Sequence, residues 1–165
     1  MKQIYFEDLQ QSLRVLKSGG IILYPPDTIW GIGCDAANID AVEKIFSIKK
    51  RQEEKSLIVL LDEAEKLYDY VEQIPEQALT LIEYSENPLT IIYPKAINLA
   101  KNIPAADGSI AIRITKDAFC KELISAFRKP IVSSSANISG EPSPKNFSEI
   151  SDKIKFSVDY VARHR

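Results

Sequence analysis

Apolar residues recur at two spacings along the chain, and the change from one spacing to the other predicts helices and strands in turn. A helical repeat ends at Gly19–Gly20 and is formed by Phe6, Leu9, Leu13 and Leu16. Ile21–Tyr24 and Leu57–Leu61 are short, continuous apolar runs, as expected of buried strands. The chain therefore begins as a helix followed by a strand of a sheet.

The same pattern continues to the end of the chain. Further helices are predicted after the N-cap Asn38 as far as Ile48, from Asp62 through Tyr70, from Pro75 through Ile82, at Ala118–Phe127 and at Phe147–Ile154. Further strands are predicted at Leu89–Tyr93, Ile110–Ile114, Ile131–Val132 and Val158–Val161, with a polar turn at Ser133–Asn137. Strands that alternate with helices predict an α/β fold, a sheet flanked by helices, whose strand order and directions stay open.

Composition narrows the function classes. The 165 residues suit one domain, and the formal net charge of −2 does not favour nucleic acid as a partner. No apolar run is long enough to span a membrane and the first residues lack a signal-peptide pattern, so we expect a cytoplasmic protein. Cys34 and Cys120 have no metal-ligand spacing, and the single histidine, His164, argues against Ser-His-Asp triads and multi-histidine zinc sites.

Polar residues follow the first predicted strand. Pro25–Pro26 cannot continue a sheet ladder, so Asp27 and Thr28 lie just past a strand end, where open α/β sheets bind ligands. Gly31 and Gly33 in the same loop would permit close approach of the backbone. The alternative is an ordinary Pro/Gly loop.

A basic cluster and a serine-rich turn are further candidates for chemistry. Lys49, Lys50, Arg51 and Lys55 suit a polyphosphate, although lysines at a helix end also offset the helix dipole. Ser133–Asn137 offers hydroxyls and backbone N–H groups to phosphate or carboxylate oxygens, or is a solvated loop. No Walker-type loop is present.

Arg113 interrupts the apolar run Ile110–Ile114. Arginine is rarely buried unless it is paired. We therefore expect a carboxylate partner in a ligand or in the protein, or a position on an edge strand.

These segments together resemble the YrdC-type threonylcarbamoyl-AMP synthase family, and the resemblance covers nearly the whole chain. Its carriers are Tyr24–Gly33, Lys49–Arg51, Pro88–Thr90, Ile110–Arg113 and Ser133–Gly140. They resemble the family's Tyr-Pro-Thr-Glu-Thr-x-aromatic-Gly-x-Gly, Lys-x-Arg, Pro-Leu-Thr, Val-Ala-Val-Arg and Ser-Thr-Ser-Ala-Asn-x-Ser-Gly elements. The chain departs from the family pattern at Pro26, Asp27, Leu60 and Asn87, which replace threonine, glutamate, histidine and glycine.

The resemblance implies a single YrdC-like domain over residues 1–165 with a twisted, mixed or parallel sheet flanked by helices. The C-terminal segment with which family members commonly continue is expected to be absent from this chain. It implies an enzyme that joins L-threonine, bicarbonate or CO₂, and ATP, and releases pyrophosphate, for the threonylcarbamoyladenosine modification of tRNA. Threonine would be bound by Thr28, Arg113 and Ser133. ATP would be bound by Arg51, Lys55, Ser109, Ser135, Asn137 and Ser143. Lys49 and Arg51 would be catalytic.

The implied partners extend beyond the substrates. Mg²⁺ would accompany ATP without a protein ligand, tRNA or double-stranded RNA could bind a concave basic face, and tRNA threonylcarbamoyl-transferase proteins would act downstream. The alternative is an RNA-binding module that uses Lys49–Lys55 and has no synthase activity. A carbamoyl-transfer domain of the hydrogenase-maturation type is disfavoured, because its zinc-binding and acylphosphatase-like segments are absent from this sequence.

Overall fold

The computed structural model describes residues 2–25, 28–50 and 57–163. Its helices are α1 (Lys2–Lys17), α2 (Ile39–Lys49), α3 (Glu76–Tyr84), α4 (Ala118–Phe127) and α5 (Asp152–Ser157), with short 3₁₀ helices at Ala64–Asp69 and Phe147–Glu149. Its strands are β1 (Ile22–Tyr24), β2 (Gly31–Asp35), β3 (Ile58–Leu61), β4 (Thr90–Tyr93), β5 (Ile110–Ile114), β6 (Ile131–Ser135) and β7 (Tyr160–Val161). No helix within the described residues is long and apolar enough to cross a membrane.

The strands form one seven-stranded sheet in the order β4-β5-β3-β6-β2-β1-β7. The pairs β3–β5 and β1–β7 are parallel. The other neighbouring pairs are antiparallel. The expectation of an α/β fold with a sheet flanked by helices is confirmed, and of the two alternatives, mixed or parallel, the sheet is mixed.

The prediction of a loop after the first strand was wrong for Gly31–Asp35, which form strand β2 between β1 and β6. The glycines that suggested a loop are required by packing inside the sheet. A Cβ at Gly33 would lie 2.7 Å from the carbonyl oxygen of Val132 and 2.9 Å from Cε1 of Tyr24. Glycine at this position thus makes room for a tyrosine on the neighbouring strand, and does not mark a turn.

The polar turn predicted at Ser133–Asn137 was also wrong in its first half. Strand β6 continues through Ser135, and Ser133 pairs with both Gly33 and Ile58. Serine is poor in apolar surface, so a central strand that ends in three serines does not show the usual pattern of a buried strand.

Two of the predicted helices differ in the structure. The segment predicted from Asp62 is a 3₁₀ helix whose N-cap, Glu63, makes no side-chain capping bond. The segment predicted at Phe147–Ile154 divides into the second 3₁₀ helix and α5, each with its own cap. By contrast, Asn38 caps α2 as predicted, since its side chain accepts a hydrogen bond from the backbone N–H of Ala41.

Each face of the sheet carries an apolar core. Helices α1 and α4 pack on one face, where the buried residues include Leu16, Leu60, Phe119, Leu123 and Ile131. Helices α2 and α5 pack on the other face, against residues such as Val59 and Val132. Beside α1 and α4, part of the first face is polar, and the candidate site lies there.

Candidate active site

A cavity of about 400 Å³ lies on the same face of the sheet as α1 and α4. It is lined by Thr28, Ile29, Gly31, Ile58, Arg113, Ser133, Ser134, Ser135 and Ser143. Five of these residues were predicted as site residues from the sequence: Thr28, Arg113, Ser133, Ser135 and Ser143. The fold thus brings together segments that are far apart along the chain.

The register of the sheet explains why the cavity is open and polar. Ser133 lies opposite Gly33, and Ser135 lies opposite Gly31. Because side chains alternate between the two faces of a strand, Ser133 and Ser135 point to the same face. Gly31 lines the cavity beside Ser135. The space that Gly33 leaves beside Ser133 holds the ring of Tyr24.

Tyr24 contacts the cavity-lining residue Ser133 through a hydrogen bond. Its side chain is fully buried, and its hydroxyl donates a hydrogen bond to Oγ of Ser133 over 2.9 Å. Burial, which is the largest cause, raises the pKa of Tyr24 well above its ordinary value. The phenol therefore remains a donor at neutral pH, and Ser133 keeps its own proton to donate to a ligand.

Arg113 supplies a positive charge to the cavity. Its Nε donates to Oγ1 of Thr90 over 2.9 Å. Within the part of the chain that the structure describes, Arg113 forms no salt bridge with a carboxylate. A cavity-lining guanidinium without a carboxylate partner is suited to bind a carboxylate or phosphate of a ligand.

Lys49 lies at the end of α2 and is almost completely buried. Its Nζ donates to the carbonyl oxygens of Ser135, over 2.5 Å, and Asn137, over 2.8 Å. The backbone N–H of Ser139 donates in turn to the carbonyl of Lys49 over 2.9 Å. Lys49 thus braces the segment that follows β6 and is not among the residues that line the cavity. A catalytic role for it stays a prediction.

Asn137 shapes the turn that leads from β6 towards Ser143. Its Nδ2 donates to the carbonyls of Ile138, over 3.1 Å, and Glu141, over 2.7 Å. Its Oδ1 is buried and has no hydrogen-bond partner in the described structure. Asn137 does not line the cavity, so its predicted contact with ATP stays a prediction.

Ser109 lies just before β5 and is also outside the cavity lining. Hydrogen bonds from its side chain and its backbone N–H lower the pKa of Asp107 below its ordinary value. The hydroxyl of Ser109 is therefore engaged by a neighbouring carboxylate, and its predicted contact with ATP stays a prediction.

Some predicted site residues lie outside the described residues. These are Arg51 and Lys55 of the basic cluster, and Asp27, which follows β1 in the sequence. The predicted phosphate contacts of Arg51 and Lys55 stay predictions. Lys50, the remaining member of the cluster, is exposed and ends α2 in the left-handed conformation with φ 50°.

Three residues of this region, Ile29, Ile58 and Thr90, were not singled out individually from the sequence. Ile58 lines the cavity because it pairs with Ser133 across β3 and β6. Thr90 contacts Arg113 because the two residues pair across β4 and β5. Both depend on strand register, which apolar patterning does not determine. The nearest signal was Thr90's place in the Pro88–Thr90 segment.

The sequence matches a family model and is similar to individual known proteins. The Sua5/YciO/YrdC model, described as "Telomere recombination", matches residues 14–165. A threonylcarbamoyl-AMP synthase of Vibrio parahaemolyticus is 32% identical over 151 residues, which is 90% of this chain and 82% of that protein. A threonylcarbamoyl-AMP synthase of Coxiella burnetii is 34% identical over 139 residues, which is 84% of this chain and 75% of that protein.

Solved structures share the fold. P. abyssi Sua5 complexed with L-threonine superposes with a TM-score of 0.87 at 27% identity, covering 93% of this chain and 45% of that one. E. coli YciO superposes with a TM-score of 0.77 at 22% identity, covering 93% of this chain and 75% of that one. The second likeness is one of fold alone.

Proposed function

This chain belongs to the Sua5/YciO/YrdC family, and we propose that it is a threonylcarbamoyl-AMP synthase. The relatives named above support this assignment over most of the chain. The observation that carries it is Arg113, a cavity-lining arginine that forms no salt bridge within the described residues, beside a row of serine hydroxyls. Such a site can hold an amino-acid carboxylate next to a nucleotide phosphate.

Threonine is the first substrate in this proposal. Its carboxylate pairs with the guanidinium of Arg113, and the hydroxyls of Thr28 and Ser133 lie within the same cavity to orient the rest of the amino acid. The solved Sua5 of P. abyssi is a complex with L-threonine, which supports this choice of ligand.

ATP occupies the neighbouring part of the cavity. Ser135 and Ser143 line it and offer hydroxyls to the nucleotide. The triphosphate is the proposed partner of Arg51 and Lys55. Mg²⁺ arrives as part of the ATP substrate, held by phosphate oxygens and water, because the described residues that line the cavity offer hydroxyls and no carboxylate.

The proposed reaction joins these substrates in two steps. The threonine amine adds to the carbon of CO₂, derived from bicarbonate, and releases a proton to give a carbamate. A carbamate oxygen then attacks the α-phosphorus of ATP, the bond from that phosphorus to the bridging oxygen breaks, and pyrophosphate leaves. Both steps need positioning and neutralisation of negative charge more than a tuned acid or base. Hydroxyls and guanidinium groups supply this.

The test is the threonine-dependent release of pyrophosphate in the presence of ATP, bicarbonate and Mg²⁺, with the adenylated product identified by mass spectrometry. Arg113→Lys keeps the charge but loses the two-nitrogen fork, and we expect the KM for threonine to rise about 10- to 100-fold. Arg14→Gln alters an exposed arginine of α1 and serves as the control. Absence of threonine-dependent pyrophosphate release from the wild-type protein would exclude the assignment.

The product's acceptor is, in this proposal, a tRNA, reached through separate transferase proteins. The alternative, an RNA-binding module based on Lys49–Lys55, has less support, because the ammonium of Lys49 is buried against backbone carbonyls. Binding of tRNA that weakens steeply with salt, together with no nucleotide binding, would favour the alternative.

A further inference from the structure

Thr90 is the first residue of β4, an edge strand of the sheet, and lies directly opposite Arg113 on β5. It does not line the cavity. Its Oγ1 nevertheless accepts a hydrogen bond from Nε of Arg113 over 2.9 Å. This is the side-chain hydrogen bond that the described structure gives Arg113, so Thr90 fixes one end of the guanidinium group.

Because Thr90 accepts from Nε of Arg113, it determines which guanidinium nitrogens remain for a ligand. A guanidinium binds a carboxylate through two parallel N–H bonds, either from Nε and one terminal nitrogen or from the two terminal nitrogens. Nε carries a single hydrogen, which Thr90 already accepts. The pair of terminal nitrogens is the fork that remains for a ligand.

The hydrogen bond between Thr90 and Arg113 also restricts the movement of the arginine side chain before a ligand binds. Arginine has a long, flexible side chain, and β4 has a neighbour on one side alone within the described sheet. Without an acceptor on β4, the guanidinium could rotate about its stem before a ligand arrives. The bond to Thr90 removes part of that freedom in advance, which lowers the entropy lost on binding.

We infer that Thr90 is a positioning residue for Arg113: it holds Nε so that the substrate carboxylate binds end-on to the two terminal nitrogens. The inference rests on the proposed function, because it takes threonine as the molecule whose carboxylate Arg113 binds. It adds a residue, and a binding geometry, for this substrate.

The experiment compares two substitutions at position 90. Thr90→Val keeps the shape and the preference for a strand but removes the acceptor, and Thr90→Ser keeps the hydroxyl. Threonine binding is measured by calorimetry without ATP, and KM values are measured for both substrates. We expect Thr90→Val to weaken threonine binding about tenfold while the KM for ATP changes less than about twofold, and Thr90→Ser to stay within about threefold of the wild type.

Thr80→Val is the matched control, because Thr80 lies exposed on α3 and its hydroxyl donates to the carbonyl of Glu76 in its own helix. A double-mutant cycle then tests whether Thr90 acts through Arg113. In an Arg113→Lys background, Thr90→Val should have less than about a twofold further effect on threonine binding, because the bond it removes is already absent.

The outcomes separate the two proposals. Wild-type protein that binds no threonine overturns both. Wild-type protein that binds threonine, with Thr90→Val equal to it, overturns the role of Thr90 alone. The role is also overturned if Thr90→Ser is as impaired as Thr90→Val, if the KM for ATP rises as much as that for threonine, or if the two substitutions are additive.

Discussion

Replacing Lys49 with methionine separates two roles for this residue that the sequence alone cannot distinguish. Methionine has a similar length and is apolar, so the substitution removes the ammonium group with little change in volume. If Lys49 bound ATP directly, the loss would fall on nucleotide affinity. If it braces the segment after β6, as its contacts with Ser135 and Asn137 indicate, the loss falls first on stability.

The magnitude follows from the two hydrogen bonds. Each bond joins a charged donor to a carbonyl, a type worth about 1.5–3 kcal/mol. Part of this is offset, because the variant no longer buries an ammonium group. We therefore expect Lys49→Met to lower the free energy of unfolding by about 2–4 kcal/mol, which for a chain of this size lowers Tm by at least about 4 °C.

The assay is urea unfolding, followed by ATP and threonine titrations at a temperature where both proteins are folded. Lys44→Met is the control on the same helix, since among the described residues the Nζ of Lys44 makes one hydrogen bond, an exposed one of 3.3 Å to the carbonyl of Gly19. We expect that control to lie within about 0.5 kcal/mol of the wild type. A Lys49→Met protein as stable as the wild type, but at least tenfold weaker in ATP binding, would refute the bracing role.

Two further predictions concern the sheet and the chain ends. Gly33→Ala should lower the free energy of unfolding by about 1–3 kcal/mol, measured in urea, because the new Cβ would lie 2.7 Å from the carbonyl oxygen of Val132. Gly31→Ala should lower it less, because the nearest atom to its new Cβ is 3.3 Å away. Equal urea midpoints for the two variants would contradict this. Burial, and then the hydrogen bond to Asp8, raise the pKa of Tyr160 from 10.0 to about 12. Because the pKa of Tyr160 is higher in the folded than in the unfolded protein, its contribution to stability is complete below pH 10 and is lost as the pH rises towards 12. The urea midpoint should therefore fall between pH 10 and pH 12, and it should fall less in Tyr160→Phe. The same dependence of the midpoint on pH in both proteins would argue against the Tyr160–Asp8 contact.

The sequence predicted the elements whose residues obey one simple period. Helix α2 with its cap at Asn38, helix α4 and strand β5 follow from apolar spacing and capping chemistry. Strand β2 was missed because its glycines serve packing against Tyr24, a neighbour that is known only once the strands are paired. The predicted strand β6 was too short because Ser133 and Ser135 face a cavity and not a core.

In the candidate site, too, some residues could be predicted from the sequence and others could not. Thr28, Arg113, Ser133, Ser135 and Ser143 could be chosen from their residue types and from the family resemblance, and they line one cavity. The supporting contacts could not be chosen in this way. The bonds from Arg113 to Thr90 and from Tyr24 to Ser133 depend on which strands are neighbours and on their exact alignment. Residue chemistry thus identifies the groups that face a ligand, while register identifies those that hold them in place.

The walls of the cavity come from segments between Thr28 and Ser143, and strands β2, β3, β5 and β6 all contribute. No single hairpin or loop contains the binding surface, so partial fraying at the sheet edge cannot release a ligand that is held by all of these walls. A saturating ligand at 100 times its Kd would add about 2.7 kcal/mol to the unfolding free energy of the whole sheet. Amide hydrogens of these central strands that exchange only through global opening would then slow by one common factor, about a hundredfold, whether or not they lie near the ligand.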